Sequence, residues 1–148
     1  MSSSSEKITF QSSRFGQIEV LRSTLIELPF GIIGFPESRS YVLLDYNPPF
    51  SWLHSVDNPE LAFVVVSAAE FGDNYSFALP VGDKDIGLKQ DDEVAILNLV
   101  TVRPDPTLTT VNLKAPVIVN LTNRKGRQLI LDSQSFSARH PLWGKGEE

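Results

Sequence analysis

The sequence predicts an all-β protein: a small, single-domain, mainly antiparallel barrel-like fold with few short helical turns. Three observations predict it. Several short segments alternate apolar and polar residues with period 2, the signature of a half-buried strand. Gly, Pro and Asn clusters punctuate them at regular spacing, as in small barrels and sandwiches. No segment sustains a 3.6-residue apolar period beyond about three turns, so no long amphipathic helix competes.

In chain order, residues 1–7 (Met-Ser-Ser-Ser-Ser-Glu-Lys) read as a disordered polar tail, and Ile8–Phe10 starts a strand. Phe15-Gly16 is a turn, after which Gln17–Leu21 alternates with Ile18 and Val20 facing inward. Thr24–Leu28 is a further strand, ended by Pro29. Gly31 and Gly34 permit a tight or bulged path. Ser38–Tyr41 suggests one helical turn before the strand Tyr41–Asp45, and Asn47-Pro-Pro-Phe50 breaks the chain. Leu61–Ser67 is nearly all apolar, as expected of a strand buried on both faces. Phe71–Phe77 reads as a loop with an aromatic edge, and Asp85–Lys89 as a short helix interrupted by Gly87. Val94–Val102 is the longest strand, stopped by Pro104-Asp-Pro106.

The strongest local pattern is 112–132. Ala115, Val117, Val119 and Leu121 share one face, with Lys114, Ile118 and Asn120 on the other. Pro116, which has no N–H, belongs at a strand entrance or edge. Asn123–Gly126 forms the turn, its Gly supplying a positive φ, and Gln128–Leu131 returns antiparallel. Residues Val64, Val66, Ile96, Leu99, Val117, Val119, Leu129 and Leu131 are the expected core. The tail 133–142 is polar, with a helical turn near Arg139, and 143–148 reads as flexible, though Leu142 and Trp143 suit a contact patch.

The chain's 148 residues suit one domain, with its principal body at 8–142. Absence of cysteine excludes disulfides and thiolate metal sites and fits a reducing compartment. No apolar signal region and no run long enough to span a bilayer are present, so the expected location is cytoplasmic, away from membranes. The net charge of −5 is unevenly spread: residues 57–105 hold ten acids against three bases, and 106–148 six bases against three acids. An acidic middle favours a basic partner over direct nucleic-acid binding.

Catalytic signals are lacking. His54 and His140 have no second His or Cys at ligand spacing, and His140 beside Arg139 reads as a polar tail residue. There is no Gly-Lys-Ser/Thr phosphate loop and no Gly-x-Ser-x-Gly elbow. From the residues alone no catalytic, cofactor or metal site is visible, although a carboxylate pair for acid–base work is not excluded. The contact candidates are residues read as lying on loops: Phe50, Trp52, Asp57, Asn58, Phe71 and Tyr75. Asp83, Asp85, Asp91, Asp92 and Glu93 form the densest acidic cluster.

The motifs Gly31-x-x-Gly-Phe35, Pro49-Phe50-x-x-Leu53, Ser55-x-Asp57-x-Pro59-x-Leu61-Ala62-Phe63 and Asn112-Leu113-x-Ala115-Pro116-x-x-x-Asn120, followed by Gly126-x-Gln128, occur in this order. Together they resemble the FliW flagellar assembly factors, over about residues 8–142. The resemblance implies a compact antiparallel β-barrel-like domain. It implies a non-enzymatic role, without cofactor or metal, in bacterial flagellum biogenesis, as a chaperone-like binder of flagellin and an antagonist of the translational regulator CsrA. Free protein would sequester CsrA and release flagellin mRNA for translation, and the acidic cluster would repel RNA from the complex. Two other classes remain open on the residues alone. One is a nucleic-acid-binding barrel using the basic turn Arg124-Lys125-Gly126-Arg127; the other is a small-molecule-binding barrel or enzyme with an unrecognised pocket.

Overall fold

Seven strands close on themselves into a barrel in the computed structural model of the chain, which describes residues 6–142. The strands are β1 (Lys7–Ser12), β2 (Gly16–Leu21), β3 (Ile26–Glu27), β4 (Ser40–Asp45), β5 (Phe50–Ser55), β6 (Ala62–Ser67), β7 (Val94–Thr101), β8 (Thr110–Val111), β9 (Val117–Asn120), β10 (Lys125–Gln128) and β11 (His140–Pro141). The ring runs β7-β6-β5-β4-β3-β10-β9 and returns to β7. Pairing is antiparallel except between β10 and β3. Closure depends on the length of β7. One of its edges carries β6; the other carries β9 along Val94–Leu97 and then β8 at Val100–Thr101. β8 and β11 therefore branch off the barrel, and the β1–β2 hairpin lies against it as a separate two-stranded sheet.

Two apolar layers result. Ile26, Leu28, Tyr41, Leu53, Val65, Leu97, Val117 and Val119 fill the interior. Outside the wall, Val66, Val111, Leu113 and Tyr75 pack with Phe77, Ile96 and Phe136 beneath the loops 68–77 and 131–142. Alternation assigns neighbours to opposite layers: Val65 points in and Val66 out, Leu97 in and Ile96 out. Both faces of these strands are covered, so β6 is continuously apolar and all four residues of β9 are buried. Of the expected core, Val64, Val66, Val117 and Val119 are buried, while Ile96, Leu99, Leu129 and Leu131 are half-buried. Ile118 and Asn120, expected opposite the core face, are fully buried as well. The segment 80–92 covers them, and the Asn120 amide donates to the Ile86 carbonyl (3.0 Å) and the Asp92 carboxylate (3.2 Å).

The hairpin of β9 and β10 is present, with its turn two residues earlier than expected, at 121–124. Arg124, not Gly126, takes the positive φ (62°), and Leu121 stands in the turn rather than on the core face. Gly126 lies within β10 for a different reason. A Cβ there would stand 2.7 Å from the Ile118 carbonyl oxygen and 2.8 Å from Leu28 Cδ2. Regular pairing ends at Gln128, although the Leu129 and Leu131 amides still donate to the Pro116 and Lys114 carbonyls.

Other elements differ from expectation. β1 begins at Lys7, inside the span expected to be tail, and Arg22 reaches back to Glu6 (2.9 Å). Ser38–Tyr41 and Asp85–Lys89 are not helical; the described helical segments are 3₁₀ turns at Arg22–Thr24, Ala68–Asn74 and Pro106–Leu108. Ile86 and Leu88 anchor the second segment instead, Gly87 bending the chain between them with φ 58°. The turn near Arg139 leads into β11. Residues 1–5 and 143–148, expected to be tails, lie outside the described residues.

A candidate partner-binding surface

β5 carries the site, and like β8 and β11 it is a strand that no period-2 apolar pattern announces in the sequence. Its outward side chains are Phe50, Trp52 and His54; inward it places Ser51, Leu53 and Ser55. Two inward serines obscure the apolar alternation. Phe50 and Trp52 are thus half-buried strand residues, not loop residues. Trp52 pairs across the sheet with Leu44 and Val64, and its ring meets Tyr46 (centroids 4.9 Å) and the edge of Phe15 (5.7 Å). The Arg14 guanidinium sits 4.7 Å from the Trp52 ring centroid, a cation–π arrangement. Beyond Tyr46 a hollow of about 190 Å³ opens, floored by Phe50 and Val64 and edged by Tyr46, Val102 and Pro106. Val102 and nearby Leu108 in the same 102–108 stretch are each 57% exposed. A second hollow of about 180 Å³ lies against Phe50, Val66, Phe71 and Leu142, with Glu70 at its wall. Exposed aromatic and apolar side chains on a rigid wall can bury the apolar face of another chain.

The remaining candidates separate. Phe71 is half-buried and meets Tyr75 and His140 edge-on (6.0 and 6.3 Å). Tyr75, read as an exposed loop aromatic, is buried and therefore not at the surface. Its hydroxyl donates to the Leu113 carbonyl (2.7 Å) and accepts from the Asn98 amide (2.9 Å), plugging the place where β9 leaves β7 and β8 takes over. Asp57 and Asn58 are exposed at the far end of β5, but their oxygens build turns. Asp57 accepts from the Arg39 and Ser40 amides (2.7 and 2.9 Å), Asn58 from the Glu60 amide (3.0 Å).

The acidic cluster is partly spent on the fold. Arg127 pairs with Asp83 (2.9 Å) and Asp85 (3.3 Å). Asp92 accepts from the Lys89 amide, the Thr122 hydroxyl and the Asn120 amide, and the Lys89 amide above all holds its carboxyl below the usual range. Asp91 and Glu93 make no ion pair among the described residues. The basic turn is committed too: Arg124 donates to the Thr24 and Leu25 carbonyls, and Arg127 holds the acids. Of the turn's three cations, Lys125 is the exposed one.

His54 is a structural histidine. Its Nδ1 bonds the Ser55 carbonyl (2.7 Å), so that nitrogen carries a proton, and Nε2 meets the Ser12 hydroxyl (2.8 Å). With Phe10 and Phe15 it fastens the β1–β2 hairpin to the barrel. Among the described residues no group of His, Cys, Asp and Glu is placed to hold a metal. No described helix is long and apolar enough to cross a membrane.

A second apolar surface also escaped the sequence reading. The turn after Leu28 exposes Phe30, Ile33 and Phe35, with the Arg127 guanidinium 5.0 Å from the Phe30 ring centroid. Gly31 has φ 66° and lies hard against the Phe35 carbonyl, which leaves no room for a side chain. Ile33 donates its amide to Gln128 Oε1 (2.8 Å), fixing the loop to β10. Alternation cannot reveal such loop-tip residues, because the loop is shaped by glycine backbone geometry rather than by a strand.

Comparison with known proteins identifies this architecture. The FliW protein family model matches residues 9–142. The chain belongs to the FliW family. It is 39% identical over 141 residues to the flagellar assembly factor FliW of Natranaerobius thermophilus, covering 93% of this chain and 92% of that protein. The FliW of Geobacter sulfurreducens is 38% identical over 134 residues, covering 89% and 84% of the two. A crystal structure of the flagellar assembly factor FliW superposes with a TM-score of 0.81 at 30% identity, over 91% of this chain and 96% of that one.

Proposed function

We propose that this FliW-family chain is a non-enzymatic flagellar assembly factor that acts in the cytoplasm. It binds unassembled flagellin there and, when free of flagellin, binds CsrA and relieves repression of flagellin translation. Family membership across nearly the whole barrel is the observation that carries the reading. The aromatic wall of Tyr46, Phe50 and Trp52 supports it, because unassembled flagellin offers apolar helical segments that fold on binding.

Antagonism of CsrA follows from charge as well as cover. Like charges about 4 Å apart at an effective dielectric near 20 interact by roughly 4 kcal/mol, and beyond a Debye length of about 8 Å they are largely screened. Repulsion of RNA therefore needs carboxylates beside the phosphate path. Asp85, Asp91 and Glu93 are exposed and supply it; Asp83 and Asp92 chiefly hold the segment that presents them. The test is calorimetric titration of flagellin and of CsrA into the protein, singly and in competition. Binding of each with mutual displacement supports the proposal, and failure to bind either overturns it.

A further inference from the structure

We propose that Arg14 selects the partner of the aromatic wall. The segment it accepts is an amphipathic helix with a carboxylate about two turns from the apolar side chain that fills the hollow beyond Tyr46. Arg14 thereby sets the chemistry of the segment bound, a reading that rests on the function proposed above. The local sequence fixes this cation in place. Ser12 accepts the Arg14 and Phe15 amides (3.1 and 3.0 Å), and the same hydroxyl is held by the buried imidazole of His54 (2.8 Å). The Ser13 amide donates to the Pro59 carbonyl (2.8 Å), and Phe15 sets its edge against Trp52 (5.7 Å). The tip of a hairpin that shares no ladder with the barrel is thus pinned to it, with the Arg14 guanidinium 4.7 Å from the Trp52 ring centroid. Among the described residues Arg14 makes no ion pair, so its N–H donors are open to a carboxylate.

The acids of the adjoining elements are engaged or turned elsewhere. Asp45 pairs with Ser51 on the inward face of the sheet, and Asp105 is held by the Thr107 amide and hydroxyl (3.0 and 2.8 Å). Glu60 shares with Arg14 a separate hollow on the His54 side without pairing with it. Arg103, next to Val102, makes no ion pair among the described residues either. On a protein of net charge −5, two such cations beside an apolar wall suit carboxylates on a peptide; a nucleic-acid backbone needs many phosphates neutralised together. Spacing then sets the register. Tyr46 lies against Trp52 (4.9 Å), which puts its ring within about 10 Å of the Arg14 guanidinium, and the hollow opens beyond it. A helix rises about 1.5 Å per residue and returns to the same face after seven, so the hollow and Arg14 fit side chains at i and i+7.

Calorimetric titration of unassembled flagellin, at low and at physiological salt, is the test. Arg14→Met keeps an aliphatic cover on Trp52 and removes the charge; it should weaken binding about five- to tenfold and flatten the salt dependence. Arg14→Lys should keep the salt dependence and most of the affinity. Binding by Arg14→Met within about twofold of the parent, with the same salt dependence, overturns the selection by charge while flagellin binding stands. Equal losses in both variants with salt dependence unchanged would make Arg14 a packing residue, and overturn it too. Should flagellin not bind the parent, the function proposed above fails, and two helical peptides decide the chemistry of the wall on their own. One carries Leu with Glu seven residues on, the other the same Leu with Lys in place of Glu. Perturbation of the Arg14 Nε and Trp52 Nε1 resonances by the Glu peptide alone supports the proposal. A response to both peptides, to neither, or to an RNA oligonucleotide instead overturns it.

Discussion

Removing one hydroxyl from each of two buried tyrosines should destabilise the protein at Tyr75 and not at Tyr41. The Tyr75 hydroxyl joins the barrel to its branch: it donates to the Leu113 carbonyl at 2.7 Å and accepts from the Asn98 amide at 2.9 Å. Tyr75→Phe keeps the ring and its edge contacts with Phe71, Phe77 and Phe136 but deprives a carbonyl and an amide of their partner. Asn98 keeps one bond, to the Asn112 carbonyl (3.0 Å), so the loss falls mainly on Leu113. A net hydrogen bond contributes about 1 kcal/mol and an orphaned buried acceptor costs about 1–3 kcal/mol, so destabilisation of about 1–2 kcal/mol is expected. At this chain length that lowers Tm by roughly 3–8 °C. Tyr41 is fully buried in the barrel interior and its hydroxyl has no well-formed hydrogen bond; burial also pushes its ionisation upward. Tyr41→Phe discards a desolvated polar group and should be neutral to about 1 kcal/mol stabilising. Urea unfolding of both variants beside the parent measures the difference. Equal losses for the two would refute the assignment of the Tyr75 hydroxyl as the joint.

Four further outcomes follow from the same geometry. Val119→Ala, fully buried in the barrel interior, should cost about 2–3 kcal/mol in urea unfolding. Gly126→Ala should cost about 1–2 kcal/mol: overpacking against the ladder-bound Ile118 carbonyl exceeds the entropy gained in the unfolded chain, and a stabilised variant would contradict this close approach. The Asp92 carboxyl is held below its ordinary value, so its contribution is present above the unfolded pKa near 3.9 and is lost as pH falls through the folded value; Asp92→Asn should flatten the loss of urea midpoint between pH 5 and 2. Asp85→Asn, Asp91→Asn and Glu93→Gln together should leave CsrA binding within a few-fold while weakening inhibition of RNA binding at low salt; equal inhibition by both proteins would remove these carboxylates from the mechanism.

The sequence exposed the elements whose two faces differ, and the buried runs. β9 and β7 were legible because Val117, Val119, Leu97 and Leu99 repeat at period 2, and β6 because both its faces are covered. β5 was concealed for the converse reason: its inward Ser51 and Ser55 are polar, Ser55 accepting the Asp57 and Asn58 amides that turn the chain. Gly126 looks like a turn glycine in the sequence, yet it answers to the side of Leu28, a contact 98 residues away in sequence that no local pattern contains. The aromatic wall was half legible. Phe50, Trp52 and Phe71 stand out in the sequence as aromatics near turns, but Tyr46 joins Trp52 across the β4–β5 hairpin and Val102 reaches the wall through the β5-β6-β7 pairing, and Tyr75 is drawn inward by Asn98 on β7 and the Leu113 carbonyl. Likewise the acids at 83–93 looked uniform in sequence, and Arg127 on β10 divides them.

The most direct test of the account is the RNA affinity of CsrA measured against increasing protein, without and with flagellin. The parent protein should weaken RNA binding, and flagellin should restore it in proportion to the protein it captures. Tyr46→Ser with Val102→Ser, two exposed positions on the aromatic wall, should blunt the restoration by flagellin at unchanged folded stability. Contradiction would come from a folded parent protein that leaves CsrA–RNA affinity unaltered, or from inhibition that saturating flagellin does not relieve.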